Sequence, residues 1–290
     1  TRCSHVTGVQ TCALPICTKR RRAFTLAELV DAGTVAAALA PVLAGLVRAR
    51  ASCLITGATG TGKTTLLAAL LSLVPPTERI VCIEEASELR PDHPHVIHLQ
   101  ERGRNVQGVG AVTMTALVRT ALRMRPDRIV LGECRGPEVR DVLTALNTGH
   151  EGGWATLHAN STADVPARLT ALGALAGMDE TTVAAQAASA LDAVVHLRRE
   201  RTSAGAVRVV ASVGVLGRRP GGGGLVCEEA LRRRPDGALA AGPAAQSLDA
   251  LLARAGEGPG RRGGSAGAAP GIPGMGMAPG VGSTSGAGQS

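Results

Sequence analysis

Apolar residues along this chain form two alternating kinds of run. Short stretches such as "SCLIT" from Ser52, "RIVCIEE" from Arg79, "VIHLQ" from Val96, "RIVLGE" from Arg128 and "WATLHA" from Trp154 read as strands. Between them lie longer segments with helical spacing: "KTTLLAALLSL", "TMTALVRTALRMR", "PEVRDVLTALNT" and the stretches near 162–176 and 179–192. A strand that is a continuous apolar run has to be covered on both faces. Strands of that kind alternating with helices predict an α/β fold, a largely parallel sheet flanked by helices. Pro75 and Pro76 stop the first of these helices. Upstream, Thr25 with Glu28 three residues on is a capping-box pattern, so helices are expected over 25–31 and 34–49. "AVVHLRR", "VRVVASVGVL" and "GLVCEEAL" predict a closing run of C-terminal strands.

The same pattern divides the chain into segments. Residues 51–235 carry the alternating elements and 17–50 read as a linker with helices. Residues 236–290 read as a mostly disordered low-complexity tail, dominated by Gly, Pro, Ala and Ser from about Gly256. Residues 1–16, "TRCSHVTGVQTCALPI", have no periodicity and resemble the in-frame translation of a sequencing adapter. They are therefore set aside from fold reasoning.

Composition changes the picture in two places. There is one Phe, one Trp and no Tyr, so the core is built from aliphatic side chains. Arg outnumbers Lys 29 to 2, which makes Lys63 conspicuous. The net charge of +8 suggests nucleic acid until it is divided along the chain. Residues 1–22 carry +5 and residues 198–290 carry +6, which leaves −3 for 23–197. A nucleic-acid binder concentrates positive charge and aromatics on its folded body, so nucleic acid is not the expected partner. The longest apolar run, thirteen residues from Val35 with a proline inside, is too short to span a bilayer. Seven scattered cysteines read as reduced thiols of a cytoplasmic protein rather than a disulfide framework.

Chemistry is concentrated after the first strand. "GATGTGKTT", covering Gly57, Ala58, Thr59, Gly60, Thr61, Gly62, Lys63, Thr64 and Thr65, fits G-x-x-x-x-G-K-[ST] in its required strand–loop–helix context. Such a loop wraps backbone N–H groups around phosphate oxygens; Lys63 reaches the β/γ-phosphates of ATP and Thr64 holds Mg²⁺. Hydrolysis also needs a carboxylate near the terminal phosphate. Glu133, at the end of a strand, is the first choice for base. Glu84 and Glu85 end the strand "RIVCIEE", and Glu84 is favoured for the Mg²⁺ shell. Glu88 is read as either a capping or a surface acid.

Arg119 and Arg123 share a helix face, and Arg135 follows Glu133; in a ring, such arginines could neutralise transition-state charge. His158 ends the strand beyond Glu133, where it can bond the γ-phosphate or the catalytic carboxylate. His150 is a weaker accessory. No Cys or third His joins His150 and His158 at zinc spacing, and His93, His95 and His98, which alternate with prolines in a loop, are not expected to bind metal.

"GATGTGKTT", "RIVCIEEASEL", "LVRTALRMRPDRIVLGECRG" and "NTGHEGGWATLHANS" occur in the order of the Walker A, Asp-box, arginine/Walker B and His-box blocks of the secretion superfamily ATPases. The chain most resembles the TadA/CpaF-type tight-adherence (Flp) pilus ATPases, also labelled conjugal-transfer-associated, over roughly 20–230. The resemblance implies a RecA-like P-loop domain and a homohexameric ring. It also implies ATP-driven work on an inner-membrane platform protein, with the ATPase at the inner face of the plasma membrane. It assigns Glu84 and Glu85 to the acidic pair, Glu133 to Walker B, His150 and His158 to the His box, and Arg119, Arg123 and Arg135 to the family arginines. Family members carry a further N-terminal domain, so this sequence is expected to be a truncated chain, with activity expected of the parent protein rather than of this chain alone. The rival reading is a DNA-translocating RecA-like ATPase of conjugal transfer.

Overall fold

The computed structural model describes residues 22–104, 110–202, 205–219 and 223–256. The adapter reading of 1–16 and the disorder expected for 257–290 lie outside these residues. Thr25 caps α1 (Leu26–Asp31): its hydroxyl accepts from the Glu28 amide, and the Glu28 carboxylate accepts from the Thr25 amide. The helix expected over 34–49 instead begins with a 3₁₀ turn (Ala37–Leu39) and becomes α2 only at Ala40–Arg48. Pro41 explains the boundary, because proline lacks the N–H that a helix interior requires but fits its first turn.

Chain order then gives β1 (Cys53–Thr56), α3 (Lys63–Leu71), β2 (Ile80–Glu84), β3 (Val96–Gln100), α4 (Met114–Leu122) and β4 (Arg128–Leu131). These are followed by α5 (Glu138–Asn147), β5 (Trp154–Leu157), α6 (Val165–Leu175) and α7 (Glu180–Ala190). The closing elements are β6 (Ala193–Thr202), β7 (Gly205–Arg218), β8 (Leu225–Arg233), β9 (Leu239–Ala241) and α8 (Ala245–Ala253). All nine strands join one sheet in the order β3-β2-β4-β5-β1-β6-β7-β8-β9. The first six are parallel and the last three antiparallel.

Alternate strand residues supply two cores, as the period of two demands. Cys53, Ile55, Ile80, Cys82, Ala193 and Val195 pack with α1, α2, α3 and α8. Leu54, Val81, Ile83, Ile129, Leu131 and Val194 pack with α4 to α7 on the other face. The expected α/β sandwich is therefore present. The tail boundary is corrected: residues 239–253 form β9 and α8, with Leu248 and Leu251 buried. Their spacing of three residues makes an apolar face that a composition rich in Ala and Gly disguises.

At the N-terminal edge of the parallel strands, Arg128 is buried to 1 % exposure. Its guanidinium donates to Glu78 (2.6 Å), to the Val47 carbonyl (3.0 Å) and to the Gly152 carbonyl (3.4 Å). Arg50 reaches the same Glu78 carboxylate at 2.9 Å. A Cβ at Gly152, whose φ is +80°, would fall 2.5 Å from the Arg128 guanidinium. That close approach accounts for a glycine just ahead of Trp154.

Candidate functional site

The loop Gly57–Gly62 leaves the C-terminal end of β1 and turns into α3 at Lys63. Gly57, at φ +147°, sits so near the Leu197 carbonyl that any Cβ would overlap it, and Gly62 precedes Lys63 at φ +95°. The loop is closed from within. The Thr61 hydroxyl donates to the Ala58 carbonyl (2.8 Å), and Lys63 Nζ donates to the carbonyls of Gly57 (3.0 Å) and Ala58 (3.2 Å). Lys63 is 8 % exposed, and its burial lowers the ammonium's pKa, partly offset by nearby Glu133. An ammonium held under a loop at a helix N-terminus is suited to a polyanion.

The loop forms one side of a cleft of about 670 Å³. Thr59 to Leu66, Glu88, Glu133, Arg135, Thr156 and His158 line it, as do Phe24, Leu29, Ala32 and Thr34 from around α1. Glu133 comes two residues after β4 and His158 one after β5. Because those strands neighbour each other in the sheet, the two side chains meet, with His158 Nε2 2.7 Å from Glu133 Oε1. The Thr156 hydroxyl, donating to the Gly132 carbonyl (2.6 Å), fixes the spacing between the two strand ends. On its other oxygen Glu133 accepts from Arg135 (2.8 Å), which also reaches Glu85 (2.7 Å). Burial would raise the Glu133 carboxyl, but the Arg135 hydrogen bond, with His158 and Lys63 nearby, outweighs it. The net effect holds Glu133 below the ordinary glutamate range. It is therefore an anion at neutral pH, as a base must be.

Thr64, Glu84, Glu85, Glu88 and Glu133 line an adjoining recess of about 100 Å³. Glu84 is 3 % exposed, and its Oε1 accepts from the backbone amides of Glu88 (2.9 Å) and Leu89 (2.8 Å). Its Oε2 makes no hydrogen bond and lies 3.6 Å from His98 Nδ1. The Glu84 favoured from the sequence is thus partly committed to folding the 84–89 turn. Among the described residues no three His, Cys, Asp or Glu side chains stand together as a metal cage. The hydroxyl and carboxylate oxygens do fit a hard cation held mainly by water and phosphate, as Mg²⁺ is.

Three other sequence candidates stand apart from the cleft. Arg119 and Arg123 are exposed at the end of α4, and Arg119 is paired with Asp141 at 2.9 Å. His150 follows α5, with Nδ1 3.3 Å from the Ala145 carbonyl, and precedes β5 at the opposite edge of the sheet from the loop. Two residues that sequence reasoning missed adjoin the loop. Arg208 on β7 donates from Nε to the Gly60 carbonyl at 2.9 Å and lines the cleft. His196 on β6, nine-tenths or more buried, is level with Thr56, whose Oγ1 lies 2.9 Å from its Nδ1. Neither sits in a motif; only the strand register brings them near.

Residues 2–237 match the family described as type II/IV secretion system protein. A Mycobacterium tuberculosis protein provisionally assigned to conjugal transfer is 53% identical over 191 residues, covering 66% of this chain and 53% of the relative. The chain thus spans about half the length of that curated relative. Among solved structures, the VirB11 ATPase of the Brucella suis type IV secretion system, in complex with sulphate, superposes with a TM-score of 0.52. It is 30% identical and covers 65% of this chain and 54% of that one. The pilus retraction motor PilT with bound ADP gives 0.53 at 25% identity, covering 70% of this chain and 56% of its own.

Proposed function

The chain belongs to the type II/IV secretion system protein family, and from that premise we propose that it binds Mg²⁺–ATP and hydrolyses it to drive secretion or pilus assembly. The observation that carries this reading is the meeting of Glu133 and His158, 2.7 Å apart, in the same cleft as the Lys63 loop. The loop amides and Lys63 take the phosphates. Glu133, anionic and steadied by Arg135, orients and deprotonates water, while His158 senses the terminal phosphate through the carboxylate it contacts. The Thr64 hydroxyl, with Glu84 and Glu85, would hold a hydrated Mg²⁺, which would supply charge neutralisation on the phosphates. Phe24, Leu29 and Ala32 give the cleft an apolar end suited to a nucleobase.

The finer parts of the reading follow the resemblance to the TadA/CpaF-type pilus ATPases. They are a homohexameric ring, in which the exposed Arg119 and Arg123 would face a neighbouring subunit, and work on a membrane platform protein from the cytoplasmic side. Among the described residues no helix is long and apolar enough to cross a membrane. The DNA-translocating alternative is disfavoured by the −3 charge of residues 23–197.

The test is calorimetric titration of Mg²⁺–ATP and ADP into the whole chain and its Lys63→Ala variant, with phosphate release followed in both, with and without DNA. Expected are micromolar binding lost in the variant, and hydrolysis indifferent to DNA. A wild-type chain that binds neither nucleotide overturns the proposal, and DNA-stimulated hydrolysis transfers it to the rival reading.

A further inference from the structure

The cleft is electrostatically lopsided. On the β4–β5 side of the phosphate loop stand Glu133, Glu85 and Glu88, and the arginine there, Arg135, is already engaged by two of these carboxylates. On the opposite side, beyond β6, stands Arg208. Its described hydrogen bond runs from Nε to the Gly60 carbonyl (2.9 Å), a neutral acceptor that ties the guanidinium to the rim of the loop without cancelling its charge. Its Cδ lies where it would be 3.5 Å from a Cβ on Gly62, the residue before Lys63.

Arg208 has company. In the β6–β7 ladder its directly opposed partner is Arg199, and opposed residues of an antiparallel pair share a face. That face also carries Leu197 and Val210, which pack in the same core as α3, so Arg199 stands on the side of the ribbon that carries the loop's helix. Like charges directly opposite each other disfavour the pairing. An anion between or beside them turns that cost into a bidentate, charge-assisted attraction.

We propose that Arg208, flanked by Arg199, is an in-chain phosphate clamp: it binds the terminal phosphates of a nucleoside di- or triphosphate from the side opposite Glu133 and His158. The proposal rests on the nucleotide reading of the loop and deepens it. It gives the bound polyanion a cation on the β7 wing of the sheet, with Lys63 beneath it. It also supplies a guanidinium from within the chain, without waiting for a neighbouring subunit.

The experiment titrates Mg²⁺–ATP, Mg²⁺–ADP and AMP into the whole chain and into Arg208→Gln, Arg208→Lys and Arg199→Gln, with thermal melts alongside. Arg208→Gln should weaken ATP about tenfold or more, ADP less, and AMP hardly at all. Arg208→Lys should recover part of the ATP affinity, and Arg199→Gln should cost ATP about threefold. Equal losses for all three nucleotides would mean that Arg208 only props the loop, and unchanged ATP affinity would mean that it touches no phosphate; either overturns the clamp. If the Gln variant melts early, the ATP-to-AMP affinity ratio of the Lys variant decides in the same way. A wild-type chain that binds no nucleotide overturns the underlying function instead.

Discussion

Glu133→Gln is the sharpest probe of the chemistry. The substitution keeps shape and replaces one carboxylate oxygen by an amide nitrogen, so the base is lost while the side chain still fills its place. Its contacts are partly solvated: the side chains of Glu133, His158 and Arg135 are 22%, 33% and 57% exposed. Pairs this wet contribute at most about 1 kcal/mol each, so losing both should lower the melting temperature by no more than about 4–8 °C. Turnover should fall much further. Removing a general base costs about 10²–10⁴-fold, equivalent to roughly 3–5 kcal/mol on the barrier. Affinity for ATP should hold or rise, because one negative charge facing the phosphates has gone. The pH dependence has a definite sign. The base works deprotonated, and its pKa lies below the ordinary glutamate range, so no Glu133-dependent loss of rate should appear on the acid side until below that range. Single-turnover phosphate release at saturating Mg²⁺–ATP, with calorimetric binding in parallel, measures both quantities. A Gln variant that binds ATP and turns over within about threefold of wild type refutes the assignment.

Two further predictions concern the frame around the site. Arg128→Met removes donors from Glu78, Val47 and Gly152, but Glu78 keeps Arg50 at 2.9 Å, so the loss should sit near the low end for a buried pair. We expect about 3 kcal/mol and a melting temperature lower by about 6–12 °C, with nucleotide affinity little changed; an unshifted melt would contradict the burial argument. Burial, then Arg198, lowers the pKa of His196 from its ordinary 6.5, so the unfolded chain takes up the proton first. Stability from the neutral ring is therefore fully present above about pH 6.5 and is lost as pH falls from there through the lower folded-state pKa. Melting curves from about pH 7.5 to 5.5 should fall more steeply for wild type than for His196→Asn; parallel curves would remove His196 from the acid sensitivity.

Much of this was legible from residues alone, and for a physical reason. Strands buried on both faces have to be apolar throughout, so "CLIT" and "IVCIE" announce themselves, and the phosphate loop follows from a local pattern. Glu133 and His158 were readable because strand ends in a parallel sheet converge on the loop beside them. What stayed hidden depends on register. Arg208 is 148 positions from Gly60 in the chain, and nothing local distinguishes it from the exposed arginines around it. Arg128 was hidden for the opposite reason: an arginine at a strand start reads as a surface residue, and only Gly152, whose missing Cβ makes room for it, hints that it is not. Arg119, Arg123 and His150 show the converse, since motif membership does not by itself carry a side chain into the cleft of one chain.

The ribbon of β6 and β7 gives the site a lever. β6 runs for ten residues but pairs with β1 only along Ala193–His196, and Leu197–Thr202 pairs with β7 beyond the phosphate loop. That overhang is roughly 20 Å at about 3.4 Å per residue, so a tilt of about 10° at its root carries the tip roughly 3.5 Å. Its fulcrum lies against Gly57, where the Leu197 carbonyl leaves no room for a side chain. Any tilt that the loop imposed at this root would therefore be magnified along the length of the ribbon.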